Sequence, residues 1–150
     1  MSPIILSNVF NKFSSKKVVL LGDNPGLPVM IAEDYIDYKN IINRSKIYLN
    51  LSTKPNISCE LMMAVAYKCA IISTNTNPIL DILEKDVDAL FINSMNDIII
   101  KIDKLLKDSS LYLKMTKYEN FKNNPEYSNK RFLNDWDKII KEYQNRTYIK

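Results

Sequence analysis

The side chains best able to do chemistry cluster in one stretch, Lys46 to Pro78, which reads KIYLNLSTKPNISCELMMAVAYKCAIISTNTNP. A polar loop, Ser52 to Ser58, leads into Cys59 and Glu60 and then into an apolar segment. A hydroxyl, a thiol and a carboxylate therefore stand side by side. If a helix begins here, the backbone N–H groups of Ile57, Ser58 and Cys59 suit an anion such as a phosphate, with Ser58 adding a hydroxyl donor. The same serine equally suits a plain N-cap. Cys59 is a poor nucleophile, because the chain has no histidine to activate it. The lack of histidine also removes Ser-His pairs and the commonest zinc ligand. Glu60 is the acid nearest the loop, and its alternative role is to complement a helix dipole.

A second polar feature is Gly22-Asp-Asn-Pro-Gly26, which holds both glycines of the chain. Glycines at this spacing permit positive φ and close backbone approach, and Gly22, Asn24 and Gly26 become candidates to border a ligand. A tight turn without a ligand fits equally well. Asp86-Val-Asp88 has the D-x-D spacing of some metal sites, but its place between a helix and a strand reads as a turn. Lys16, Lys17 and Lys54 are cations near these loops, and plain surface charge explains each of them.

These residues need a frame. Ile47 to Leu51 and Ala70 to Thr74 are short apolar runs, and Leu61, Met62, Val65 and Ala66 between them recur with helical spacing. Strand, loop, helix, strand is a βαβ unit, which builds parallel sheet. Val18 to Leu21 reads as a strand covered on both faces, and Ala89 to Ile92 as the last strand. Ile4 to Leu6 reads as a short strand, with Ser7 capping a helix through Phe13. Asp34 caps a helix to about Arg44 that turns Ile36, Ile41 and Ile42 inward. Asn77-Pro78 opens another helix, with Pro at the first helical position and Ile79, Ile82 and Leu83 facing the core. Asn96 or Asp97 caps the next, and Ser109 or Ser110 the one after. A final helix carries Phe132, Trp136, Ile139, Ile140 and Tyr143. The expected fold class is α/β: one Rossmann-like, doubly wound parallel sheet with a helical C-terminal tail, forming a single domain over residues 1–150.

Bulk composition sets outer limits. A chain of 150 residues, 46% apolar and 25% charged, suits an ordinary globular domain. No apolar run approaches the roughly 18 residues of a transmembrane helix. The first residues carry no basic segment ahead of their apolar ones, so no signal peptide is expected. Cys59 and Cys69, with no framework spacing, suggest a reducing compartment, so a cytoplasmic location is expected. Residues 51–100 carry a net charge of −3 and residues 101–150 a net of +5. The basic third is open to peripheral membrane contact or to reading as a solvated helix face. Nucleic acid is not an expected partner, because aromatic and basic residues do not interleave in a strand pattern.

Taken in order, these segments resemble the C-terminal, nucleotide-sugar-binding half of GT-B glycosyltransferases, group-1 and family-4-like. The resemblance rests on Ser45 to Ser52, Ile57 to Ala66 and Ala70 to Asn75, then on Ile79 to Ile92, Asp97 to Leu113, Phe132 and Trp136. It covers roughly residues 17–143. It implies a donor substrate that is a nucleoside diphosphate sugar, held between Gly22–Gly26 and the loop Pro55, Asn56, Ile57, Ser58, Cys59 and Glu60, with Met63 one turn further on. It implies glycosyl transfer with no metal and no other cofactor, the helix N-terminus stabilising the leaving diphosphate.

The chain also departs from the family. Aligning Ala64-Val-Ala66 with the family's Ala-Met-Ala core puts Pro55 and Met63 where it keeps paired glutamates spaced E-x7-E. Glu60 is then the remaining catalytic candidate, and Lys68 replaces a family glycine. Such enzymes hold the acceptor in a second Rossmann-like domain, so a partner chain or a second copy of this one is expected to supply that half. The other reading is a non-catalytic nucleotide or scaffold module that kept the fold without the paired acids.

Overall fold

Three short apolar runs form the centre of the protein, described by a computed structural model that covers residues 3–13, 34–52, 56–118, 125 and 128–147. They are β1 (Ile47–Asn50), β2 (Ala70–Thr74) and β3 (Ala89–Ile92), all parallel in the order β1-β2-β3. The expected strand Val18 to Leu21 and the Gly22–Gly26 turn lie outside the described residues. In the register, Asn50 stands beside Ser73, and Ser73 beside Phe91. Strands β2 and β3 are buried almost throughout, which is why they read as unbroken apolar runs.

Alternation along the strands divides the core into two layers. Ala70, Ile72, Leu90 and Ile92 point to one side, with Ile47 and Leu49 beside them. There they pack with Val9 of the first helix and Phe13 just past its end, with Ile98, Ile102 and Leu105, and with Met115. The helices of this layer are α1 (Pro3–Lys12), α5 (Met95–Lys107) and α6 (Ser109–Met115). Residues of opposite parity, Tyr48, Asn50, Ile71 and Ser73, face the other layer. It holds α2 (Tyr35–Asn43) and α3 (Cys59–Ala66), which touch each other. Between β2 and β3 lies the single turn α4 (Asn77–Leu80). Helices on both faces of a parallel sheet make the fold α/β and Rossmann-like.

Several local expectations need correction. Ile4 to Leu6 belong to α1, not to a strand. Pro3 starts that helix, where its missing N–H costs nothing, and Val9 and Phe13 reach the core at i, i+4 spacing. Ile36 is exposed, whereas Ile42 is buried and Ile41 partly buried on α2, as expected. On α3 the buried residues are Leu61, Ala64 and Val65, while Ala66 is exposed. Helix α5 begins at Met95. Asp97 sits in its first turn and reaches back to accept the N–H groups of Asn93 (2.9 Å) and Ser94 (3.3 Å). The cap of α6 is Asp108, whose carboxylate accepts the Leu111 N–H at 2.9 Å.

By Cα packing the chain separates into two compact units, Met1–Tyr118 and Glu119–Lys150. The second contains α7 (Asn129–Thr147), capped by Ser128, whose hydroxyl accepts the Arg131 N–H at 3.2 Å. Its expected inward stripe is exposed: Phe132, Trp136, Ile139, Ile140 and Tyr143 are each at least half accessible.

Candidate functional site at the carboxyl edge of the sheet

Polar residues interrupt the apolar strands at one end only, their carboxyl ends. Asn50 closes β1, and Ser73 and Thr74 close β2. Asn50 and Ser73 are buried, and the Asn50 amide donates to Ser73 Oγ at 3.1 Å. Ser73 Oγ donates in turn to the Thr74 carbonyl at 3.0 Å, and the Thr74 hydroxyl donates to the carbonyl of Ser52. This line of bonds ties the start of the β1–α3 loop to β2. It spans the edge where ligands of open parallel sheets sit, because loops and helix N-termini converge there. Thr76, just past β2, holds a buried hydroxyl oxygen with no hydrogen-bond partner among the described residues.

Helix α3 starts at this edge. Ser58 is its N-cap, in extended backbone, and its Oγ accepts the Leu61 N–H at 3.1 Å. The serine thus acts as a cap, satisfying one first-turn donor. The N–H groups of Cys59 and Glu60 occupy the first two helical positions, where no carbonyl of the helix can reach them. Of the expected donors Ile57, Ser58 and Cys59, Cys59 therefore lies in the first turn, and Glu60 joins it, while Ile57 and Ser58 precede the helix.

Around Ser58 three elements bring further groups together. Tyr48 of β1 lies close to the Ser58 hydroxyl and to Tyr38 of α2, near enough for each to act on its titration. Burial holds both phenols above their ordinary pKa, and the Glu60 carboxylate raises them further, so both stay protonated. Glu60, exposed in the first turn of α3, is therefore near the two tyrosines, on the side where α2 and α3 meet. Cys59 is exposed beside it. Asn56 and Ile57 are exposed in the preceding loop, and Met63 is half-buried one turn on. Pro55 and Lys54, like Lys16, Lys17, Gly22, Asn24 and Gly26, lie outside the described residues.

The remaining candidates are placed elsewhere. Asp86 takes the left-handed conformation (φ 59°) of a tight turn. Asp88 is buried, and its carboxylate accepts the Glu84 N–H at 3.1 Å, so Asp86-Val-Asp88 shapes the α4–β3 turn. No cluster of three or more metal-ligating side chains occurs among the described residues. Cys69, at the opposite end of the sheet, is buried with its thiol on the carbonyls of Ser45 (3.2 Å) and Ile42 (3.5 Å), and burial pushes it up to about 11. Lys68 takes φ 59° between α3 and β2, where the family has glycine.

Sequence reading named the α3 start but missed Asn50, Ser73, Thr74 and the tyrosine pair. The signal was a polar residue at the carboxyl end of two adjacent apolar strands. No curated protein matches the chain. A family model described as glycosyl transferase-like matches residues 13–134, which takes in all three strands and helices α2 to α6. The chain belongs to this glycosyl transferase-like family.

Proposed function

We propose that this domain binds a nucleoside diphosphate sugar at the carboxyl edge of its sheet and serves as the donor-binding part of a GT-B-type glycosyltransferase. The observation that carries the reading is the start of α3. There the unclaimed first-turn N–H groups of Cys59 and Glu60 stand beside a polar, hydrogen-bonded strand edge, inside the segment the family model matches. Two adjacent N–H groups at the positive end of a helix stabilise the charge that grows on a departing diphosphate. That chemistry needs no metal in this reading. Gly22, Asn24 and Gly26 would border the donor from the neighbouring loop, and Glu60 would be the acid closest to it. The acceptor would be held by a second chain or a second copy of this one. The setting proposed is the cytoplasm.

Titration calorimetry with a panel of nucleoside diphosphates and their sugars tests this. Saturable heat with one nucleotide class is expected, weakened by Glu60→Gln if that side chain contributes. No heat and no thermal shift with any of them contradicts it.

One feature favours a second reading, a module that binds without catalysing. Pro55 and Met63 stand where the resemblance places the family's paired carboxylates. Donor binding without release of nucleoside diphosphate, in the presence of any acceptor half, would support it.

A further inference from the structure

Helix α7 spans 19 residues, and its apolar side chains form one stripe: Phe132, Leu133, Trp136, Ile139, Ile140 and Tyr143 fall at i, i+1, i+4, i+7, i+8 and i+11. All six are at least half exposed. An aromatic-rich apolar face this long is not accounted for by solubility, which disfavours it. The family-model match stops at residue 134, so most of the helix lies beyond the matched segment.

The charges on the helix discriminate between occupants of that face. Asp135 is paired with Arg131 (3.3 Å) and Lys138 (3.7 Å), and Asp137 with Lys141 (2.6 Å). Five basic residues stand against three acidic ones over Asn129–Thr147, so the helix keeps a net charge of +2. Asp135 and Glu142, seven residues apart, share one flank of the stripe. In an antiparallel pair of copies that flank would face itself, acid against acid. A polar face with excess Lys and Arg, opposite a stripe of Phe, Leu, Trp, Ile and Tyr, is instead the pattern of a helix lying in a membrane interface. Trp and Tyr favour that depth because one part of each ring system is apolar and one polar. No helix among the described residues is long and apolar enough to cross a membrane.

We infer that α7 is an interfacial helix that seats the apolar face on an anionic lipid surface. Donor binding by the first unit neither requires this nor follows from it. Trp136, the only tryptophan in the chain, sits in the middle of the stripe and reports on it directly. The experiment titrates the full chain with vesicles of phosphatidylcholine, with and without phosphatidylglycerol, and follows tryptophan emission and co-sedimentation. Emission is expected to shift to the blue on vesicle addition. Binding is expected to be about tenfold tighter with the anionic lipid, with the difference lost in about 0.5 M salt. Ile139→Asp should abolish the shift while far-UV circular dichroism stays unchanged. Should that variant lose helix, Lys130→Glu with Lys138→Glu provides the second arm, removing the anionic preference and leaving the stripe intact. Emission that is already blue and indifferent to vesicles means the face is covered in the free protein, and overturns the inference. So does emission that depends on protein concentration, which would point to a second copy.

Discussion

Ser58 carries both a structural and a functional role, and the two separate by measurement. As a cap it satisfies the Leu61 N–H, so Ser58→Ala should lower stability by about 1 kcal/mol, read from the urea midpoint. If the donor diphosphate sits on the N–H groups of Cys59 and Glu60, the same variant should weaken nucleotide binding only through a frayed first turn, and Ser58→Asp should restore the cap but repel the anion. The cysteines give a second test at this scale. Cys59 is exposed and Cys69 is buried with its thiol pushed up to about 11. One thiol per folded chain should react with a thiol reagent at pH 8, and two after denaturation. Buried Asp88 gives a third. Burial raises its carboxyl above the usual range, outweighing the Glu84 N–H it accepts. The folded state therefore holds this proton more tightly than the unfolded chain does. The resulting penalty grows as pH rises from the ordinary carboxylate value through the folded one, and stays constant above it. Asp88→Asn keeps an oxygen for the Glu84 N–H, so its stability relative to wild type should rise across that same acid-to-neutral interval. Urea midpoints at several pH values read the difference; a flat difference contradicts it. These residue-level roles were only partly legible in the sequence. The position of Ser58 before an apolar helical run announced a helix start, whereas the Asn50–Ser73 bond depends on a parallel register that no local pattern encodes.

The strands were the most legible elements. Ala70 to Thr74 and Ala89 to Ile92 are apolar runs of strand length with no helical period, and both stand where expected because a strand buried on both faces leaves that trace. The N-terminal Ile4-Ile5-Leu6 is equally apolar and proved helical, since a run so short does not distinguish strand from helix and Pro3 settles it as a helix start. The caps of α5 and α6 are Ser94 and Asp108, one to three residues ahead of those expected, because Asp97 and Asp108 both accept backbone N–H groups, Asp97 from inside its helix and Asp108 as the cap itself. The central position of β2 has an energetic consequence. Ile72 is fully buried between two strands and within the layer of α5 and α6. Ile72→Ala should cost about 2–5 kcal/mol, and a loss under 1 kcal/mol would place that layer elsewhere.

At the scale of the whole molecule, membership of a glycosyl transferase-like family and a Rossmann-like sheet agree with the order of segments in the sequence. What the order did not reveal is where apolar surface is left over. The periodicity of α7 marks an apolar face but carries no information about its occupant, and the face is exposed. Likewise the resemblance implied a donor pocket between two loops, of which the described residues contain only part of the one leading into α3. The central claim is that this edge of the sheet receives the donor diphosphate. The most direct test is an amide chemical-shift map of the labelled full chain, titrated with nucleoside diphosphates and then with nucleoside diphosphate sugars. Saturable shifts centred on Cys59 and Glu60, extending to Ser52 and Thr76, are the expected result. No shifts with any nucleotide, or shifts confined to surfaces away from the start of α3, would contradict it.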